Sequence, residues 1–288
     1  MKNLTLIAEP SKGYELLDSG NEEKLERYGD VVLARPDPQA LWEKSLPEAQ
    51  WRKADGWYER TGKEGKWHTR EGFLKEWQIP FGGLSFIIRP TSFKHTGLFP
   101  EQQPNWQWIE KVLAKRGEVK VLNLFGYTGA ASLAAAKAGA EVTHVDASKT
   151  AVAWARENAE ASGLAEKPIH WVVEDAMKFV SREVKRGNRY DGIIMDPPAF
   201  GHGPKDELWK IEEDFVRFVQ SCRELLSDKP LFFLINGYAS GYSPLAFVHN
   251  LSPLVSQFGG DIEAGELTIR ESKSGRLLPA GIFARWSV

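Results

Sequence analysis

From Val119 onward, apolar and polar positions alternate in blocks of two rhythms. VKVLNLF is a short apolar run, the length of a buried parallel strand, and ASLAAAKAGA follows it as a helix ending near Gly139. EVTHVDA reads as a second strand. Ser148 then stands as N-cap of the helix SKTAVAWARENAEASG, which stops at Gly163. IHWVVED and YDGIIMD supply the third and fourth strands. The long amphipathic helix ELWKIEEDFVRFVQSCRELL leads to PLFFLING, the fifth. After the helix SPLAFVHNLSPLVSQFG come GELTIRES and LPAGIFARWSV. Their SKSG connection reads as a hairpin, making the last strand antiparallel. Strands alternating with helices predict right-handed crossovers and an α/β sheet, mostly parallel, with helices on both faces.

The first hundred residues have another rhythm. Short β-like pieces (LTLIAE, YELLD, DVVLARP, KEWQIPF, LSFIIRP) are punctuated by Gly and Pro, and Gly82-Gly83 is a hairpin signal. NWQWIEKVLAKRG, with Trp108, Ile109, Val112 and Leu113 on one face, is the predicted helix joining the halves. The expected division is a β-rich module over residues 1–95 and a main domain over 96–288. Trp42, Trp51, Trp57, Trp67 and Trp77 cluster in the module. They suit either a base-stacking surface between basic side chains or the bulk of a small β core, and the second reading is favoured.

Composition narrows the class. The 288 residues are 42% hydrophobic and 26% charged, enough apolar content to bury a core. No stretch approaches the roughly 18 consecutive apolar residues of a membrane helix. MKNLTLIAEPSKGYELLDSG lacks a long apolar region and a cleavage site, so it reads as mature sequence. The single cysteine, Cys222, excludes a disulfide framework and a cysteine-based zinc site, and makes the cytoplasm the default. It falls in register with Phe215, Phe218 and Leu226, as a core residue would. The histidines show no ligand spacing, and no metal site is expected. A net charge of −2 gives no bulk support to duplex binding, although Lys44–Lys75 is locally rich in Lys and Arg.

The chemistry gathers at strand ends, where open α/β sheets bind ligands. FGYTGAAS, between the first core strand and its helix, offers Gly126 and Gly129 for close backbone approach and a helix N-terminus for an anion. It is one glycine short of a dinucleotide loop and carries the bulky Tyr127, which suits a carboxylate better than a pyrophosphate. Asp146 ends the second strand, placed for both hydroxyls of a ribose. Asp175 ends the third, placed for the edge of an adenine. Carboxylate, ribose and adenine in that order describe S-adenosylmethionine. The fourth strand ends in MDPPAFGHG, a rigid corner whose prolines donate nothing. Asp196 and the Pro197 carbonyl can face an incoming group there, with Pro198 stiffening the turn and Phe200 placed to stack on a planar substrate.

The run VLNLFGYTGAASLAAAKAGAEVTHVDAS…ARENAEASGL…VVEDAMKFV…YDGIIMDPPAF resembles a class I S-adenosylmethionine-dependent methyltransferase. More narrowly it resembles the bacterial large-subunit rRNA cytosine and guanine methyltransferases, in the F-x-Y-T-G loop and the D-P-P-x-F corner. HTGLFPEQQPNW is similar to that family's segment before the core. The resemblance covers about residues 67–288. It implies a Rossmann-like seven-stranded sheet and cofactor contacts at Phe125, Tyr127, Thr128, Asp146, Ser148 and Asp175, with Gln102 from the earlier segment. Gly126, Gly129, Ala147, Glu174, Ala176 and Asp196 complete the candidate cofactor set. Asp196, Pro197, Pro198 and Phe200 form the candidate catalytic set.

One departure matters. Methylation at a pyrimidine carbon would need a cysteine nucleophile. INGYASGYSP, after the fifth strand, has none, so nitrogen or oxygen acceptors are expected. His95, His202 and Asn236 are secondary candidates for the substrate pocket, each equally suited to simple capping. The expected substrate is RNA, with a small molecule or protein as the alternative. A nicotinamide oxidoreductase and a non-catalytic binding module are the readings from other classes.

Overall fold

The computed structural model describes residues 1–61, 64–92, 94–203, 207–238 and 241–288; Ala239 and Ser240 of INGYASGYSP lie outside the described residues. Two compact units divide the chain. One comprises residues 1–5, 105–266 and 281–288, the other residues 6–104 and 267–280. The division therefore falls at 104/105 rather than 95/96, and the second unit takes back the hairpin connection near the end of the sequence. Side chains explain that return: Arg276 bonds the Asp18 carboxylate at 3.1 Å, and Glu271 accepts from the Ser19 hydroxyl.

In chain order the elements are β1 (Lys2–Ala8), β2 (Tyr14–Gly20), β3 (Glu23–Tyr28), β4 (Val31–Pro36), the short α1 (Glu48–Trp51), β5 (Gly56–Thr61), β6 (Glu64–Thr69), β7 (Trp77–Phe81) and β8 (Leu84–Ile88). A 3-10 turn, Pro100–Gln102, precedes α2 (Gln103–Leu113) and β9 (Lys120–Leu124). Then come α3 (Ala130–Lys137), β10 (Glu141–Asp146), α4 (Lys149–Ala161), β11 (Ile169–Val173), α5 (Ala176–Arg186) and β12 (Gly192–Met195). The remainder is β13 (Phe200–His202), β14 (Leu208–Lys210), α6 (Ile211–Glu224), β15 (Phe232–Gly237), α7 (Pro244–Phe258), β16 (Asp261–Arg270) and β17 (Leu277–Ser287).

In the β-rich unit, β2 to β6 form one sheet and β7–β8 a hairpin. Gly82 and Gly83 have φ of 61° and 76°, the two positive values a type I′ turn needs. Four of the five tryptophans spend their indole N–H inside this unit: Trp42 on the Ser19 carbonyl, Trp51 on Asp18, Trp67 on the Thr91 carbonyl and Trp77 on the Tyr28 carbonyl. Trp51 is buried and the other three are half-buried, as residues that lend bulk to a small β module are. Trp57 is the exception, exposed and stacked on His68 with ring planes 9° apart.

The larger sheet has the order β1-β16-β17-β15-β12-β9-β10-β11. Strands β9 to β12 and β15 pair in parallel, and β17 lies antiparallel to β15. The seven expected strands are present, and β1, read from sequence as part of the module, adds an eighth at the edge. Central strands β12 and β15 are buried throughout, as their unbroken apolar runs require. Ile193, Met195, Phe233 and Ile235 of these strands share one buried cluster with Phe215, Phe218 and Cys222 of α6 and with Phe247 and Leu251 of α7. The cysteine is thus a core residue.

Two local readings change. Helix α6 begins at Ile211 rather than Glu207, because Leu208–Lys210 pairs as β14 with β13. The Trp209 indole N–H on the Pro198 carbonyl (2.6 Å) and the Ile211 N–H on the Ala199 carbonyl (3.0 Å) hold that segment extended. Helix α2 buries Asn105, Trp106, Ile109 and Leu113, so its inner face is turned from the one predicted and leaves Trp108 and Val112 half-buried.

Candidate active site

Strand β9 pairs with β10 on one side and β12 on the other, so the chain reverses its direction of travel across the sheet at β9. The crevice at such a switch point is where α/β sheets bind ligands, and the loop Phe125–Gly129 occupies it. Phe125 and Tyr127 hold positive φ, 57° and 47°, conformations that cost a non-glycine residue about 1–3 kcal/mol each. Several bonds impose them. Gly126 N–H donates to the Val145 carbonyl (3.0 Å), Gly129 N–H to the Gly126 carbonyl (2.9 Å) and Asn158 Nδ2 to the Thr128 carbonyl (2.9 Å). The Phe125 ring packs on Trp209 and Phe218.

The two glycines also answer a packing need. A Cβ on Gly126 would lie 2.4 Å from Cε1 of the buried His144 ring, and one on Gly129 would lie 2.9 Å from the Ala155 Cβ of α4. His144 stands at the centre of β10, level with Asn123 and Trp171. Its Nδ1 is 2.9 Å from the Ser132 hydroxyl, which accepts from Asn123 Nδ2 at 2.8 Å. Burial holds the imidazole down to about 3, so it is neutral. This polar row was passed over in the sequence; Asn, Ser and His inside apolar stretches were its only signal.

Asp146 is the hub of the crevice. Its Oδ2 accepts the Tyr127 N–H and its Oδ1 the Ser148 N–H, each at 2.8 Å. Ser148 in turn caps α4 by accepting from Ala151 N at 3.2 Å, with Ala147 between the two. Burial raises the Asp146 carboxyl above the usual range, and the two N–H donors oppose this. No lysine or arginine pairs with it among the described residues. Each oxygen keeps a second lone pair, so two vicinal hydroxyls can still be accepted. With the free N–H groups of the first turn of α3 close by in sequence, these donors and acceptors fit a ribose and a carboxylate.

At the end of β11 the carboxylates are largely occupied. Glu174 is held by Arg182, and Asp175 caps α5, its Oδ1 accepting the Lys178 N–H at 2.9 Å, with Ala176 buried behind it. Asp175 retains one oxygen for an adenine edge; the Glu174 side chain is tied into its ion pair. Gln102 closes the 3-10 turn of the other unit.

The corner after β12 is built for acceptance. Burial raises the Asp196 carboxyl to about 6. Of the three carbonyls that follow, Pro198 is taken by Trp209 and Ala199 by Ile211, whereas Pro197 has no donor among the described residues. Phe200 is 56% exposed and meets His202 edge to face. Asn236 lies near the end of β15. It is buried with its Oδ1 accepting from Asn105, which accepts from Arg285. His95 lies in the β-rich unit, where burial and neighbouring Arg35 and Lys94 lower it to about 4. Among the described residues no three His, Cys, Asp or Glu side chains form a metal cluster, and no helix is long and apolar enough to cross a membrane.

Comparison with known proteins agrees with this geometry. Residues 56–246 match the family model of S-adenosylmethionine-dependent methyltransferases. The crystal structure of a SAM-dependent methyltransferase from Agrobacterium tumefaciens is 41% identical, covering 100% of this chain and 96% of its own, with a TM-score of 0.91. Ribosomal RNA large subunit methyltransferase I of Aeromonas salmonicida is 30% identical over 188 residues, 65% of this chain and 45% of that protein. Ribosomal RNA large subunit methyltransferase K of Neisseria meningitidis is 26% identical over 240 residues, 77% of this chain and 64% of that protein. The chain thus spans less than two thirds of the length of these two relatives. With the switch-point loop, the Asp146 hub and the Asp-Pro-Pro corner in place, the chain belongs to the S-adenosylmethionine-dependent methyltransferase family.

Proposed function

We propose that this chain methylates a nitrogen of an RNA nucleobase, in ribosomal RNA, at the Asp196–Pro197 corner. The observation that carries the reading is that Pro197 keeps its carbonyl while Pro198 and Ala199 spend theirs within the chain. An amine needs two acceptors to fix its N–H groups, and the corner offers this carbonyl and the neighbouring carboxylate. The names of the rRNA methyltransferase relatives supply the substrate class, and a cytoplasmic location goes with it.

The cofactor would be held by Phe125 to Gly129, by Asp146 with Ala147 and Ser148 for the ribose, and by Asp175 and Ala176 for the adenine. When bound, S-adenosylmethionine supplies an electrophilic methyl group on a sulfonium. The chain's own contribution is positional. Asp196 and the Pro197 carbonyl accept the two N–H groups of an exocyclic amine, which aims its lone pair. Alignment of this kind lowers a barrier by up to about 7–11 kcal/mol. Asp196, ionised above about pH 6, then takes the proton released from the amine and passes it to water. Phe200 stacks on the base, and the Tyr127 face adds roughly 0.5–2 kcal/mol beside a cation. Cys222, buried in the α6 core with its thiol pushed well up, offers no nucleophile for carbon methylation.

The test is transfer of labelled methyl groups to large-subunit rRNA, protein and metabolite pools, with Asp196→Ala alongside. Label in RNA as an N-methylated base, lost in the variant while cofactor affinity stays within about threefold, is the expected result. Unchanged turnover in Asp196→Ala overturns the corner assignment. Label entering only small molecules or protein favours the alternative that an acidic chain, net charge −2, leaves open.

A further inference from the structure

A second concave surface lies at the other end of the sheet. It is a cleft of about 540 Å³ lined by Trp108, Lys111, Lys115, Arg116, Glu263 and Arg285 among others. Its level in the sheet is fixed by Trp108, whose ring meets the edge of Phe232 at 5.5 Å, and by Ser287, the register partner of Phe232. Phe232 pairs with Gly192, and Met195, just before the corner, pairs with Ile235. The cleft and the corner are therefore separated by at least three residues of strand, about 10 Å of rise. They are distinct sites.

The electrostatics of the cleft divide into a wall and a rim. Arg285 is buried over the Trp108 ring at 4.7 Å, bonded to Glu263 (2.8 Å) and Asn105 (3.0 Å), so the wall is a neutral, fixed pair. Lys111, Lys115 and Arg116 form the rim. All three are exposed, and none is ion-paired among the described residues. Glu110 is taken by Lys137, and Glu118, the acidic residue of the connecting stretch, does not line the cleft. Lys111 sits in the last turn of α2, where one cation complements the helix dipole. Lys115 and Arg116 lie beyond the helix and have no such role. Lys111, Lys115 and Arg116 thus put three cations without ion-pair partners among the described residues on one rim, in a chain of net charge −2, and such a concentration of positive charge suits a polyanion such as a phosphate backbone.

We infer that this cleft grips the phosphate backbone of the RNA substrate at a distance from the methyl-transfer corner. The inference rests on the RNA reading above, and the test separates the two. The variant is K111E/K115E/R116E, three exposed positions outside the cofactor site. Its melting temperature and its affinity for S-adenosylmethionine should match the unaltered chain. With a large-subunit rRNA fragment, KM should rise at least tenfold while kcat stays within about twofold. Each phosphate contact on a single strand contributes a slope of about −0.7 in log affinity against log salt, so losing three should flatten the slope by about 2. Between 50 and 200 mM salt the unaltered chain should then lose about 20-fold more RNA affinity than the variant. If the chain methylates RNA but the variant keeps the same KM and slope, the cleft is not an RNA contact and the RNA reading stands. If the chain methylates no RNA, both fall. A drop in cofactor affinity in the variant would make these residues supports of the cofactor site and also overturn the inference.

Discussion

Substituting Gly126 by alanine tests how the cofactor loop is held. The added Cβ would lie 2.4 Å from Cε1 and 2.5 Å from Nδ1 of His144. Carbon atoms in contact prefer about 3.5–4.0 Å, so the overlap exceeds roughly 1 Å. The ring has nowhere to go: it is fully buried, hydrogen-bonded to Ser132, and packed against the Trp171 ring at 5.0 Å. The loop must move instead. Overpacking of this kind costs about 1–3 kcal/mol. Movement would also loosen the Tyr127 N–H bond to Asp146, a bond to a charged group and thus about 1.5–3 kcal/mol. Affinity for S-adenosylmethionine should therefore fall roughly 10- to 100-fold, at about 1.4 kcal/mol per tenfold. Calorimetric titration and thermal melts of Gly126→Ala, His144→Ala and the double variant form a cycle. Because His144→Ala removes the obstructing ring, Gly126→Ala should cost much less in that background, with a coupling of about 1–3 kcal/mol. If the glycine substitution costs the same with and without the imidazole, His144 is not what Gly126 accommodates, and the account of the loop is wrong.

Other predictions follow from the same geometry. Asp146→Ala leaves the Tyr127 and Ser148 N–H groups without their acceptor, so calorimetry should show at least a 100-fold loss of cofactor affinity, about 3 kcal/mol. The Asp196 carboxyl is raised to about 6 and acts in its ionised form, so kcat should fall tenfold per pH unit below about 6. Linkage has the sign of a raised pKa: the unfolded carboxyl titrates near 4, so Asp196 favours the folded state fully below that and loses the advantage as pH rises through 6. An Asp196→Asn variant should shift this part of the stability profile. His144 has the opposite sign. Its folded value near 3 lies below an ordinary value of about 6.5, so stability should drop as pH falls through that window, by up to roughly 5 kcal/mol. Acid titration followed by circular dichroism, with His144→Phe as control, measures it. Cys222, buried with its thiol pushed well up, should resist a thiol reagent in the native protein and react once denaturant is added.

The alternation of strands and helices was legible because central strands read as apolar runs and the intervening helices end in caps and glycines; Ser148 caps α4 as its position predicts. What escaped was set by contacts distant in sequence. Lys210 and Trp209 are helix-compatible residues, yet bonds back to Pro198 and Ala199 hold their segment as a strand. Helix α2 turned its face in part because the polar Asn105 is paired in the core with Asn236 and Arg285. The same tie engages the Asn236 amide oxygen, which spacing did not reveal. At the site, the loop, Asp146 and the corner were visible as motifs. The packing constraint on the glycines was not, since His144 and Ala155 press on them from elements 18 and 26 residues away in sequence. Nor could spacing reveal that Arg182 occupies Glu174.

The edge strand β1 has a consequence for how the chain is made. Leu4 passes so close to Gly265 of β16 that a Cβ there would meet the Leu4 carbonyl, so β1 has its place only beside a strand about 260 residues later. At roughly 5–20 residues per second, ribosomal synthesis leaves β1 waiting some 10–50 s for that partner. An unpaired KNLTLIA strand is a template for wrong pairing during this interval. Closing so long a loop also places the pairing late, after local β-α units have formed. Growth temperature and chaperone supply should accordingly govern the yield of folded chain more than its final stability does. The flanking sequence of β1 is then the place where a fusion tag would interfere most.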